Sequence, residues 1–303
     1  MSADHDHAHH ARPDKMNAAF AIGIALNVLF VIIGAVAGVI AHSTALLADA
    51  AHNLGDVLGL AMAWGAAALA RRSPTVRRTY GLRRTTIFAA LANGGLVLFA
   101  IGGVAWEAIH RLGDAHAVDG GVVAVVAAIG VVINVAAAML FAKGRERDMN
   151  LRGAFLHLMA DAAVSAGVVV AGVIVWRTGA VWIDPVTSLA VSVIILYGTW
   201  QLVREAMNLL LDAVPAHIDP AAVEQFLRGL RDVREVHDLH VWSMSTTEVA
   251  LTAHLVLPWP AAAPEFLATI GHDLEHRFGI HHITLQFEDC TGAECMQAPP
   301  ESV

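Results

Sequence analysis

The chain has 303 residues, 56% hydrophobic and 15% charged, with a mean hydropathy of +0.58. Soluble domains average about 45–50% apolar and about 25% charged, so this composition excludes a disordered chain and argues against an ordinary soluble enzyme. A formal net charge of −8 excludes a broad basic face for nucleic acid, two cysteines exclude a disulfide scaffold, and histidine, with 17 copies, is the outlier.

In chain order, residues 1–15 form a polar, histidine-rich tail containing Asp4-His-Asp-His-Ala-His-His10. It lacks the apolar core and cleavage site of a signal peptide, and reads either as a loose metal collector or as an inert tail. Six apolar runs follow, near 16–40, 44–70, 86–110, 118–142, 154–177 and 181–203. Each is long enough to cross about 30 Å of hydrocarbon at roughly 1.5 Å per residue. Small residues such as Gly34-x3-Gly38, Gly94-Gly95 and Gly102-Gly103 either let helices approach closely or are filler.

The loop after the second run holds Arg71, Arg72, Arg77, Arg78, Arg83 and Arg84, and the loop after the fourth holds Lys143, Arg145, Arg147 and Arg152. The other short loops carry at most one basic residue, so both termini and the two basic loops are expected in the cytoplasm. The expected class is a multi-pass membrane protein.

Past residue 211 the pattern changes. Asp219-Pro220 reads as a helix start, opening a helix to about Leu230. Residues 236–244 and 247–257 read as a strand pair, 264–278 as a helix stopped by Gly279, and 281–288 as a last strand. The expected fold is an all-α six-helix transmembrane domain (16–211) followed by a small α+β cytoplasmic domain (212–303), with its helices on one face of the sheet.

Ionisable side chains at membrane depth are costly and line functional cavities. The second span holds His52 and Asp56, the fifth His157 and Asp161. Each pair is four residues apart and so shares one helix face. A single buried histidine is by default a satisfied structural residue, but two pairs of identical spacing in two apolar spans point to a shared metal site. Two nitrogens and two carboxylates are the number and type of ligand that a tetrahedral Zn²⁺ takes. Asp49, three residues before His52, is either an acceptor behind the ligands, a proton relay or a packing contact. Asn27, Asn93 and Asn134 read as interhelical hydrogen-bond partners. In the last strand His282 and Glu288 share one face, opposite Ile283, Leu285 and Phe287. Cys290 and Cys295 could act as thiolate ligands, though their spacing says little.

Taken together, Ala45-Leu-Leu-Ala-Asp-Ala-Ala-His-Asn-Leu-Gly-Asp56, His157-Leu-Met-Ala-Asp161, Arg78-Thr-Tyr-Gly-Leu-Arg83 and Val236-His-Asp-Leu-His-Val-Trp242 resemble the cation diffusion facilitator family, in its bacterial zinc-exporter branch. The resemblance covers nearly the whole chain. It implies a transport site of His52, Asp56, His157 and Asp161, and a regulatory metal site at His237, His254, His282 and Glu288. It also implies a homodimer in the bacterial inner membrane with paired metallochaperone-like cytoplasmic domains, and exchange of a cytoplasmic divalent metal for protons by alternating access. The histidine-rich loop that some relatives carry between spans four and five is short and basic here.

The expected function is therefore a Zn²⁺/proton antiporter, not an enzyme, working on metal ions and protons in the lipid bilayer without nucleotide or nucleic acid. No Gly-x4-Gly-Lys-Ser/Thr segment is present, and no His-Glu-x2-His motif supports an intramembrane hydrolase. Export of Cd²⁺, Co²⁺ or Ni²⁺, and a membrane-anchored zinc sensor, are the alternatives.

Overall fold

A computed structural model describes residues 13–113, 117–142, 149–258 and 264–289. Eight helices and three strands follow one another as α1 (Pro13–Ile40), α2 (Thr44–Ala70), α3 (Thr85–Gly113), α4 (Gly120–Ala142), α5 (Met149–Thr178), α6 (Ile183–Leu210), α7 (Pro220–Arg228), β1 (Glu235–Ser243), β2 (Val249–Val256), α8 (Pro264–Phe278) and β3 (Ile280–Glu288). Helices α2 to α6 are long and apolar enough to cross a membrane, and α1 adds a shorter apolar stretch, Asn27–Ile40. The expected runs thus all appear. The main extension is α6, which continues to Leu210 through Arg204 and Glu205, where hydropathy alone had ended it. The described chain divides into two compact units, one comprising residues up to 60 with 93–200, the other 61–92 with residues from 201 onward.

In the first unit a core of small and branched residues, including Ala45, Ala48, Val97, Ile101, Ala127, Val168 and Ile195, joins α2 through α6. Its tightest contact is between α4 and α5. A Cβ on Gly120 would stand 2.5 Å from the Trp176 nitrogen, and one on Gly172 would stand 2.7 Å from the Ala124 nitrogen. Only glycine lets these two backbones touch. Gly130 makes similar room for the Phe30 ring. The glycines singled out from the sequence behave differently. Gly38 is pressed against Leu47, but Gly95, Gly102 and Gly103 have nothing within 4 Å and mark no close approach inside the chain.

The second unit contains the α+β fold. The Asp219 carboxylate accepts from the Ala221 nitrogen at 3.0 Å, capping α7 ahead of Pro220. Strand order is β1-β2-β3, with β1 and β2 antiparallel and β2 and β3 parallel. Val223, Leu227, Ile270 and Leu274 of the two helices bury against Val241, Leu251, Ala253 and Leu255. Gly279, at φ +70°, turns the chain out of α8 into β3.

Strand β1 alternates only in part, because it is bulged. His237 pairs with His254, but His240 pairs with Thr252, so Asp238 and Leu239 together oppose one residue of β2. Asp238 takes the uncommon φ of +50° there. The extra residue flips the alternation, leaving His237 and His240 on one face while Leu239 turns to the core.

Candidate metal sites

Helices α2 and α5 bring His52, Asp56, His157 and Asp161 together. His52 Nε2 lies 3.1 Å from Asp161 Oδ1 and 3.8 Å from Asp56 Oδ2. His157 Nε2 lies 3.4 Å from Asp56 Oδ2 and 3.5 Å from Asp161 Oδ2. Each carboxylate therefore reaches both imidazoles, and the two rings stand edge to face at 6.3 Å. His52, Asp56 and Asp161 each offer a ligand atom within 4.8 Å of the others'. Exposure is graded across the set, from 7% for the Asp161 side chain to 52% for His157. Asp161 thus lies on the buried side of the cluster and His157 on its exposed side. His52 sits about 12 Å along α2 from Thr44.

Two supports beside this cluster hold α2. Asp49, buried, accepts from Ser165 Oγ of α5 at 3.2 Å, about one turn from His52 on α2 and from Asp161 on α5. Asn53 donates to the Asp49 carbonyl at 2.8 Å. At the start of α2, Ser43 caps the helix by accepting from the Leu46 nitrogen at 3.1 Å. Asp184, 2% exposed in the first turn of α6, accepts from Ser43 Oγ, from the Thr44 nitrogen at 2.7 Å and from Thr44 Oγ1 at 2.9 Å. Ser188 donates to the Thr44 carbonyl at 3.1 Å. Sequence reasoning singled out Asp49 but passed over Ser165 and Asp184. The former is signalled only by standing four residues after Asp161, the latter by a carboxylate opening an apolar span.

The asparagines do not behave as expected. Among the described residues Asn134 is buried with neither amide atom bonded, and the Asn27 and Asn93 carbonyl oxygens are likewise unbonded. Asn93 instead fills the space left by the missing Cβ of Gly59, 2.6 Å from where that atom would stand.

A second cluster lies on the sheet face away from α7 and α8. His237 Nε2 is 3.3 Å from Glu288 Oε2, and His254 Nδ1 is 3.1 Å from Glu288 Oε1. Both histidines are buried, with ring centroids 5.1 Å apart, and the three residues' ligand atoms lie within 4.8 Å of one another. The bulge adds Asp238, whose carboxylate is 3.4 Å from His254 Nε2 and 2.8 Å from His240 Nε2. His254 is therefore held between two carboxylates, an arrangement that orients a ligating imidazole. Gln286, opposite His254 in the register, donates to Glu288 Oε1 at 2.7 Å.

His282 stands elsewhere. It shares the face of Glu288 but is six residues away, about 20 Å along the strand at roughly 3.3 Å per residue. It is exposed and meets the Tyr80 ring edge-on at 5.5 Å. Within one chain it does not join His237, His254 and Glu288. A shared face was readable from the period of two, but distance along the strand separates the two ends. The amino-terminal histidines, Cys290, Cys295 and residues 143–148 of the basic loop lie outside the described residues.

Residues 20–211 match the family model described as the cation efflux transmembrane domain, and residues 215–290 the model described as the cation efflux protein, cytoplasmic domain. Over 302 residues the chain is 34% identical to the metal cation efflux system protein CzcD of Cupriavidus metallidurans, covering 98% of this chain and 94% of that protein. It is 34% identical over 303 residues to the zinc transporter ZitB of Escherichia coli, covering 97% and 96%. The cadmium, cobalt and zinc/H(+)-K(+) antiporter of Bacillus subtilis is 31% identical over 264 residues, covering 86% and 85%.

Proposed function

The chain belongs to the cation efflux family, matching its transmembrane and cytoplasmic models in order, and from that premise we propose that it exports Zn²⁺ from the cytoplasm in exchange for protons. The observation that carries this reading is the meeting of two imidazoles and two carboxylates from α2 and α5, each carboxylate within reach of both rings. Zn²⁺ favours four such ligands in a tetrahedron. The names of the relatives, which include a zinc transporter and a cadmium, cobalt and zinc antiporter, agree with it. Cd²⁺ and Co²⁺ accept the same donor set and are the competing cargoes.

Antiport follows from ligand chemistry. Imidazole binds metal only when neutral, so metal and proton compete for His52 and His157. Histidine titrates near neutrality, and a modest pH difference across the membrane therefore shifts the competition. Metal displaces protons where the pH is higher and is displaced where it is lower.

The two arginine- and lysine-rich loops support an orientation with both termini in the cytoplasm and the chain in the inner membrane. The cytoplasmic domain pairs with that of a second copy, and His237, His254 and Glu288, with Asp238 behind them, form a site through which cytoplasmic metal regulates transport. His282 enters that site only if the partner copy presents it.

Proteoliposomes containing the purified protein and a zinc-sensitive dye test the reading. Zinc uptake is expected to depend on protein, to rise when the inside is made more acidic than the outside, and to acidify the outer solution. Zinc flux indifferent to the pH difference would overturn the antiport, and absence of zinc flux with robust cadmium or cobalt flux would reassign the cargo.

A further inference from the structure

The loop joining α2 to α3, residues 71–84, contains six arginines and no acidic residue. Two of the six are neutralised: Arg83 by Glu248 and Arg84 by Asp212, each at 2.5 Å. Among the described residues Arg71, Arg72, Arg77 and Arg78 have no carboxylate within 4.0 Å. Arg77 and Arg78 line a cavity of about 440 Å³ together with Tyr80, Arg83, Phe88 and Trp242. That volume falls within the range of ligand pockets, about 300–1,000 Å³.

Chain connectivity sets the depth of this cavity. Phe88 lies in the first turn of α3, a membrane-crossing helix, and its ring is 53% exposed. One wall of the cavity is therefore formed by the first turn of a candidate membrane span, beside the point where the chain would enter hydrocarbon. Arginine presents a planar fork that matches a phosphate oxygen pair. Tyr80, Phe88 and Trp242 offer apolar surface beside the charges. Two adjacent arginines without a counter-charge among the described residues, beside a cavity rimmed by aromatic rings, suit a ligand that is anionic at one end and apolar at the other.

We infer that this cavity binds the phosphate headgroup of an anionic phospholipid of the cytoplasmic leaflet, with Arg77 and Arg78 holding the phosphate and an acyl chain lying along Phe88. The leaflet rests on the orientation proposed above, while the binding itself does not. Basic pockets next to membrane helices hold anionic lipid headgroups by this combination of charge and depth. The site's occupancy would tie the α2–α3 loop to the composition of the membrane.

The test uses the full-length protein in detergent micelles, titrated with phosphatidylglycerol or phosphatidylcholine, with bound lipid counted by native mass spectrometry. Micelles expose both ends of the protein, so the result is independent of orientation. Labelling of Val76→Cys in right-side-out and inverted vesicles reads orientation separately. Wild type is expected to bind phosphatidylglycerol at least tenfold more tightly than phosphatidylcholine. Arg77→Gln/Arg78→Gln is expected to lose about 25-fold, and each single variant about fivefold, the weight of one basic residue near an anionic headgroup. Both side chains are exposed, so their loss leaves the fold intact. Arg71→Gln/Arg72→Gln removes the same charge outside the cavity and is expected to change binding less than threefold. Equal losses in the two double variants, or none in the first, would overturn the site in favour of diffuse attraction. Displacement of lipid by glycerol phosphate at equal concentration would overturn the membrane as the source of the ligand.

Discussion

Asp161→Ala is the most informative single substitution. Asp161 is the more buried of the two carboxylates, and its oxygens reach His52 Nε2 at 3.1 Å and His157 Nε2 at 3.5 Å. A pair of unit charges 4 Å apart is worth roughly 4 kcal/mol at an effective dielectric of about 20. Water entering the vacated space recovers part of that, and Asp56 still faces both rings. A net loss of about 2–4 kcal/mol remains, which is a roughly 30- to 1,000-fold weaker Kd for zinc. Helix α5 survives the change, since alanine is the best helix former and the substitution removes a buried charge instead of adding one. Zinc titration calorimetry of the detergent-purified protein, with flux in proteoliposomes, reads the effect. Asp161→Asn keeps the shape and removes the charge, and should fall nearly as far. If either variant binds and moves zinc like wild type while remaining folded, the four-residue site is wrong.

Further outcomes follow from geometry elsewhere. In the cytoplasmic domain His254→Ala should weaken zinc binding about 10- to 100-fold, the range seen when ligand support is lost, whereas His282→Ala should change it less than about twofold unless a partner copy supplies His282; isothermal titration separates these. Gly172→Leu should block folding, because its side chain would start 2.7 Å from the Ala124 nitrogen, while Gly102→Ala, with open space around it, should be tolerated; yield of monodisperse protein is the readout. Asp184→Ala leaves the Ser43 hydroxyl and two Thr44 donors without their acceptor. At about 1–3 kcal/mol per stranded buried group, the three donors cost about 3–9 kcal/mol, so the unfolding temperature should drop by at least about 6 °C at about 2 °C per kcal/mol, and an unchanged melt would show that the clasp holds nothing.

Element order was readable because hydropathy and turn residues are local signals. The runs ending at Ala70 and Ala142, and the helix stopped at Gly279, are bounded by arginines, lysine or glycine that any reading of the chain meets. The His52-Asp56 and His157-Asp161 pairs were legible for the same reason, since a spacing of four on a helix fixes a shared face. What the sequence did not disclose depends on partners distant along the chain. Asp184 clasps residues 140 and 141 positions earlier, and no local pattern marks that. Asp238 reaches His254 only because a bulge turns it back, and bulges carry no reliable residue signature. His282 and Glu288 share a face by the period of two and were joined in one site by the resemblance; strand length, which periodicity does not measure, keeps them apart within one chain. The glycines at 95, 102 and 103 look like packing residues in one dimension, yet the backbones meet at Gly120 and Gly172.

The clasp on Thr44 turns α2 into a lever with a fixed end. While Asp184 holds its donors, α2 cannot slide along its own axis, and a swing about Thr44 must also break the buried Asp49–Ser165 bond to α5. His52 lies about 12 Å from that fulcrum and Ala70 about 39 Å. A swing of about 10° would then carry His52 through only about 2 Å, enough to part a ligand set from its ion, while the far end sweeps about 7 Å, by the same rise per residue. Small displacements at the metal are thus geared to large ones at the end of the helix where the arginine-rich loop begins.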